Sequence, residues 1–234
     1  MGNLFTSTIG RKLIMSISGL FLILFLLFHM SMNLAAVFST EAYNAICEFL
    51  GANWYALAGT LILAAGVVVH LVYATVLTLH NRSSRGSQRY AMTAEPEGVT
   101  WASRNMYVLG IIIVLGLLLH LYNFWYNMQF AEIIGNHELG PFPPADGAAY
   151  IAALFSSPVY CIIYLVWFAA IWFHLTHGFW SAFHTIGWDN QTWLPRLKRI
   201  ANVVATIVFL CFALVVIVFY LRSLGVCGGS CAGF

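Results

Sequence analysis

Long apolar stretches alternate with short polar connections along this chain, and the spacing of the breaks predicts its architecture. No Asp, Glu, Lys or Arg occurs in 13–40, 49–81, 105–131, 147–188 or 200–221. Each window exceeds the roughly 20 residues a helix needs to cross a hydrocarbon core. The pattern predicts five transmembrane helices, at about 13–38, 55–80, 105–129, 155–186 and 200–221, in a single all-α membrane domain over residues 1–234. The first run follows Arg11-Lys12, is too long for a signal-peptide core and has no small-residue cleavage site near its end, so it reads as a retained helix. The connection from Gly135 to Gly147, with Pro141, Pro143 and Pro144, reads as an external loop or short cap. No convincing internal repeat is visible.

Composition strengthens this picture. Of 234 residues, 61% are hydrophobic and 8% charged, against roughly 25% charged in soluble domains. Five crossings leave no length for a sizeable soluble domain and exclude a nucleic-acid role. Five cysteines make neither zinc spacing nor an even disulfide framework. Cys227 and Cys231 flank a Gly-Gly-Ser segment, and whether they pair is left open, a loose terminus with two thiols being the simpler reading.

Charge sets the expected orientation. Arg11 and Lys12 precede the first span, Arg82, Arg85, Arg89 and Arg104 lie between the second and third, and Arg196, Lys198 and Arg199 between the fourth and fifth. The other two connections carry Glu41, Glu48, Glu132, Glu138 and Asp146 instead. Nine of ten basic residues thus fall on one side, which the positive-inside rule makes cytoplasmic. Only Arg222 lies opposite. The N-terminus is expected in the cytoplasm and the C-terminus in the periplasm of a bacterial inner membrane. Trp54, Tyr55, Tyr122, Phe124, Trp125 and Tyr126 fit an outer aromatic belt, and Trp101, Trp188 and Trp193 an inner one.

Four of the eight histidines lie well inside apolar windows on four different spans: His29, His70, His120 and His174. An imidazole in hydrocarbon is costly without partners, so each is a functional candidate. A helix–helix hydrogen bond would explain any one alone. His29 and His120 each lie 16 residues beyond the inner end of their span, about 24 Å deep at 1.5 Å per residue. His70 and His174 lie roughly 16–18 Å from the same face. An outer pair, His29 with His120, and an inner pair, His70 with His174, suit two bis-histidine haems stacked in a four-helix bundle. Gly66, Gly116 and Gly178 stand one turn from three of these histidines, where a missing side chain leaves room for a porphyrin edge or for ordinary helix packing. His177 is an alternative ligand on the fourth span. His80 and His184 suit propionate partners or solvated helix ends, Arg82, Arg85 and Arg89 either propionate partners or a plain basic loop, and His137 has no evident role.

The residues around these histidines resemble a known family, the dihaem cytochrome b membrane anchor of succinate:quinone oxidoreductases (succinate dehydrogenase or fumarate reductase), in its single-polypeptide, five-helix form. The likeness covers nearly the whole chain. It rests on Arg11-Lys12, Ser18-Gly19-Leu20-Phe21 and His29; His70-Leu71-Val72-Tyr73 with Asn81-Arg82; Ser103-Arg104-Asn105-Met106, His120 and Asn123-Phe124-Trp125; and Phe173-His174-Leu175-Thr176-His177-Gly178-Phe179-Trp180. The last pattern is the most specific and favours His174 over His177. The resemblance implies that the first and third spans hold a distal haem b, and the second and fourth a proximal one. It implies a flavoprotein subunit with covalent FAD and an iron–sulfur subunit on the cytoplasmic face, with electrons passing through Fe–S clusters and haems to or from a quinone, menaquinone for this anchor type. Glu48 is then the candidate quinone proton acceptor, with Glu41 second and a solvated loop carboxylate the plain alternative. One departure stands out: some fumarate-reducing members carry a glutamate two residues before the fourth ligand, where this chain has Trp172. The direction of catalysis and assembly as a dimer of heterotrimers are left open. The alternatives are the dihaem anchor of a nitrate reductase or hydrogenase and, from another class, a proton-linked transporter. The first tends to place several ligands on one helix, and the second predicts carboxylates within the spans.

Overall fold

The computed structural model describes residues 7–85 (Ser84 and Arg85 by their backbone alone), 100–188 and 190–226. Arg89, Cys227 and Cys231 lie outside the described residues. The chain is all-α, and no strand occurs among the described residues. Among the described residues, five helical segments are long and apolar enough to cross a membrane: Thr8–Phe38, Trp54–Ser83, Trp101–Ile133, Pro158–Thr185 and Trp193–Ser223.

Capping side chains explain where the helices begin. Helix α1 (Thr8–Phe38) starts at Ser7, whose hydroxyl accepts the Gly10 N–H at 3.1 Å. Ser39 ends α1 by donating its N–H to Ala35 O at 2.9 Å, then caps α2 (Thr40–Phe49) by accepting the Ala42 N–H at 3.1 Å. The expected outer loop after the first span is therefore largely helical, because one serine closes one helix and opens the next. Glu48 accordingly sits on a helix, where a loop was expected. Helix α3 (Trp54–Arg85) forms the second span.

The third span is α4 (Trp101–His120), continued without a break by a ten-residue π-helix (π1, Leu121–Phe130) and the single turn α5 (Ala131–Ile133). The fourth span was expected to begin near residue 155; instead α6 (Gly147–Phe155) ends there and α7 (Pro158–Thr185) begins three residues later. Pro158 has no N–H to continue a helix and restricts the residue before it, so it opens α7 at its first turn. Helix α8 (Trp193–Ser223) starts seven residues earlier than the expected 200, which places Arg196, Lys198 and Arg199 on the helix itself. Lys198 Nζ lies 4.8 Å over the Trp180 ring, and the Arg196 guanidinium 5.4 Å over Trp193, so aromatic faces receive these charges at the helix start.

Helix α8 is the most deeply packed. Ala201, Ala205, Val208, Phe212, Val215 and Phe219 are buried at steps of four and three, the spacing of a packing seam, with small residues where the helices approach closely. This seam lies mainly against α7 and α1. Around it α1 packs on α3 and α7, and α4 packs on α7, while α3 and α4 meet only glancingly. Helices α3, α1, α7 and α4 thus form a four-helix ring open between α3 and α4, with α8 backing it. No residue of α3 belongs to the buried apolar cluster.

Candidate functional site

The ring places its imidazoles across diagonals. His29 on α1 faces His120 on α4, with ring centroids 5.7 Å apart at 88°. His70 on α3 faces His174 on α7, at 6.4 Å and 63°. Neither α1 with α4 nor α3 with α7 packs closely along its length, so both pairs meet across the interior of the ring. The two pairs are those expected from depth along the sequence. Two imidazoles sharing one metal, at the roughly 2 Å of a metal–imidazole bond with centroids about 1 Å further back, stand about 6 Å apart. The observed separations, 5.7 and 6.4 Å, are of that order, and both ring contacts are edge-on.

Partner atoms tell the same story unevenly. His120 Nδ1 and His174 Nδ1 are buried without a hydrogen-bond partner, as is His177 Nδ1, a costly state for an imidazole in a dry interior. His70 Nδ1 lies 3.3 Å from Ser18 Oγ, and the Ser18 hydroxyl also donates to Met15 O at 3.0 Å. A hydroxyl has one proton, so both bonds together require Nδ1–H on His70 and leave its Nε2 free. His29 differs: its Nε2 lies 3.3 Å from Asn33 Nδ2. His177 packs its ring on Trp180, at 4.9 Å, and does not join the inner pair. Among the described residues no group of three or more His, Cys, Asp or Glu is arranged to hold a metal; two-imidazole sites need none.

The three glycines differ. A Cβ at Gly66 would meet the Phe21 ring, and one at Gly116 the Trp167 indole. At Gly116 the missing side chain lets Trp167 close on the backbone and donate Nε1–H to Ile113 O at 3.0 Å. Both notches, expected to receive a porphyrin edge or a neighbouring helix, hold aromatic side chains of this chain. Gly178 is open: a Cβ there would have only Met106 and the His174 ring at ordinary contact distance. Around His120 stand Phe124, Tyr164 and Trp167, with centroids 5.1, 6.3 and 5.6 Å away.

At the end carrying Glu41 and Glu48, both carboxylates are exposed and line an open cleft of about 390 Å³ with Asn44, Ala45, Pro143, Ala145 and Asp146. None of the four histidines borders that cleft. Asp146 is engaged, accepting from Asn44 Nδ2 at 2.7 Å and Ala149 N–H at 3.2 Å. Glu132 accepts the Ala52 N–H at 2.7 Å. His137 borders a separate surface cleft.

Sequence reasoning missed the side chains that hold the imidazoles, Ser18 and Asn33, and the latch made by Gln129. That residue lies in π1, accepts from Thr60 Oγ1 and Trp125 Nε1, both at 2.9 Å, and donates to Gly51 O at 3.0 Å. It closes the α3–α4 opening at this end. The signal for Asn33 was present: it is four residues after His29, on the same helix face. The π-helix, a form frequent at functional sites, left no such signal.

Comparison with protein-family models, with curated proteins and with solved structures finds no match for this chain.

Proposed function

We propose that this chain is the dihaem cytochrome b membrane-anchor subunit of a succinate dehydrogenase or fumarate reductase complex. The observation that carries the proposal is the pair of diagonal imidazole contacts, His29 with His120 at 5.7 Å and His70 with His174 at 6.4 Å. Four buried histidines on four helices have many ways to miss one another. Meeting two by two, at separations near those of two imidazoles that share one metal, supports a pair of haem ligand sets.

His29 and His120 hold the outer haem in this reading, and His70 and His174 the inner one. When bound, haem b supplies one-electron transfer between its ferric and ferrous states. The chain's own residues do the rest. Ser18 fixes the tautomer of His70; Phe25 stacks on His29 at 5.4 Å and 20°, and Phe212 abuts it at 6.0 Å, which limits ring rotation and excludes water. The basic end, carrying Arg11, Lys12, Arg82, Arg104, Arg196, Lys198 and Arg199, is cytoplasmic and receives the iron–sulfur and FAD-bearing flavoprotein subunits. Menaquinone reacts near the outer haem at the opposite, periplasmic end. Proton exchange there needs a carboxylate that is free and in contact with water. Glu132 and Asp146 hold backbone or amide N–H groups, whereas Glu48 and Glu41 are exposed, so Glu48 keeps the role of acceptor with Glu41 behind it.

A reduced-minus-oxidised spectrum of the purified chain, with haem stoichiometry, tests this reading. Two b-type haems per chain are expected. His29→Ala and His120→Ala each remove one and the same haem, and His70→Ala and His174→Ala each remove the other. A colourless wild-type chain, or loss of one shared haem in His29 and His70 variants, refutes it.

A further inference from the structure

His29 is joined to α2 by a short line of hydrogen bonds. Asn33 Nδ2 donates to the His29 carbonyl at 2.8 Å and lies 3.3 Å from His29 Nε2. Asn33 Oδ1 accepts the Tyr43 hydroxyl at 3.2 Å. Tyr43 is a buried residue of α2, the helix pinned to α6 by Asn44, whose Oδ1 accepts the Ala148 N–H at 2.9 Å while its Nδ2 donates to Asp146.

These contacts fix proton positions by elimination. The atom 2.8 Å from a backbone carbonyl must be the amide nitrogen, since an oxygen there would face an oxygen. The Tyr43 hydroxyl, donating to Oδ1, agrees with that orientation. An amide nitrogen has protons and no lone pair to offer, so His29 Nε2 must be the acceptor. A neutral imidazole accepting at Nε2 carries its proton on Nδ1. The contrast with the inner pair is direct: Ser18 holds His70 at Nδ1 and leaves Nε2 bare, whereas Asn33 covers the basic nitrogen of His29.

We propose that Asn33, oriented by Tyr43, is a positioning residue for His29: it holds the imidazole as the Nδ1–H tautomer and masks the Nε2 lone pair until an incoming metal takes that nitrogen. The second half rests on reading His29 as an axial ligand; the first does not. The outer and inner sites then differ by design, one ligand being covered and the other free. Outer-site loading requires exchange of one hydrogen bond, a step the inner site lacks.

The test uses the full chain, produced without haem, in detergent micelles, with histidine rings labelled with nitrogen-15. Wild-type His29 is expected to show a protonated Nδ1 and an unprotonated Nε2. Asn33→Leu removes the donor and yields a mixture of tautomers, and Tyr43→Phe loosens the preference. The His70 signals stay unchanged in both. Haem added to the same samples binds the outer site about two- to tenfold faster in Asn33→Leu, the range set by the net worth of one hydrogen bond, with the inner-site rate unaltered. Wild-type His29 protonated at Nε2, or Asn33→Leu leaving the tautomer unchanged, overturns the positioning role. Outer-site loading unchanged in Asn33→Leu, with normal inner-site loading, overturns the masking. If no variant and no wild-type sample binds haem, the dihaem reading fails, while the nitrogen-15 signals still decide the tautomer.

Discussion

Arg222 stands in the last turn of α8, away from Arg196, Lys198 and Arg199 near its start, and the structure gives it a specific occupation. Its Nη2 donates to Val37 O at 2.8 Å, its Nη1 approaches Ala36 O at 3.5 Å, and its guanidinium lies 5.0 Å from the Phe219 ring centroid. Those carbonyls belong to the last turn of α1, where a helix has no partners of its own to offer. Replacing Arg222 by leucine removes one well-formed charged hydrogen bond, worth about 1.5–3 kcal/mol, a favourable helix-end charge of about 0.3–1 kcal/mol and a cation–π contact of about 0.5–1 kcal/mol. The contact at 3.5 Å is at the geometric limit and adds little. These contributions share one charge and overlap, and leucine restores some apolar packing, so a net loss of about 2 kcal/mol is expected. Arg222→Lys keeps the charge but not the planar fork, and should lose about half of that. Unfolding titrated with a denaturing detergent in mixed micelles measures both. A leucine variant within about 0.5 kcal/mol of wild type, the scatter of an ordinary surface substitution, would show that Arg222 does not clamp α8 to α1.

Other outcomes follow from single contacts. Gly116→Ala drives a methyl group into the Trp167 indole and should cost about 1–3 kcal/mol by overpacking, seen as a lowered thermal midpoint with an altered tryptophan emission. Gln129→Leu strands Thr60, Trp125 and the Gly51 carbonyl; a loss of about 2–3 kcal/mol is expected, together with faster hydrogen exchange at the start of α3. Burial pushes the Cys47 thiol up from 9.0 to about 11. A raised thiol pKa keeps the native state protonated where the unfolded chain ionises, so its stabilising effect is intact below pH 9 and is lost as pH rises towards 11. Stability should fall across that window by at most about 2–3 kcal/mol, and Cys47→Ala should flatten the fall; an unchanged slope in the variant refutes the assignment.

The spans were legible because the signal for them is chemical and continuous: charge is absent from five windows and present between them. The pairing of the four histidines was legible for a simpler reason, since depth along an antiparallel helix is a count of residues. Boundaries were less so. Ser39 caps two helices at once, turning an expected loop into α2, and Pro158 splits α6 from α7; both signals stood in the sequence but lay inside or beside apolar runs, where charge counting is blind. The filling of the Gly66 and Gly116 notches was not legible at all. A glycine announces that something lies close to the backbone, while its identity, Phe21 or Trp167 here, depends on how neighbouring helices rotate about their axes. The π-helix after His120 was equally hidden, because Leu121–Phe130 reads as a continuation of an apolar helix in either form.

A histidine proton relay makes different demands on this interior from the proposed ligand reading. A relay needs hydrogen bonds from one titratable group to the next, and in a dry interior it needs carboxylates to hold the charge in transit. The five apolar windows contain no Asp or Glu. His29 and His120 meet edge to face through their rings, and the buried Nδ1 atoms of His120 and His174 reach no partner, so the line of bonds from Tyr43 ends at His29 and goes no further. An arrangement that brings imidazoles together in pairs, yet joins neither pair by a hydrogen bond, is poorly built for moving protons and well built for sharing something between the rings. That asymmetry, more than the number of histidines, favours the proposed ligand reading over a relay.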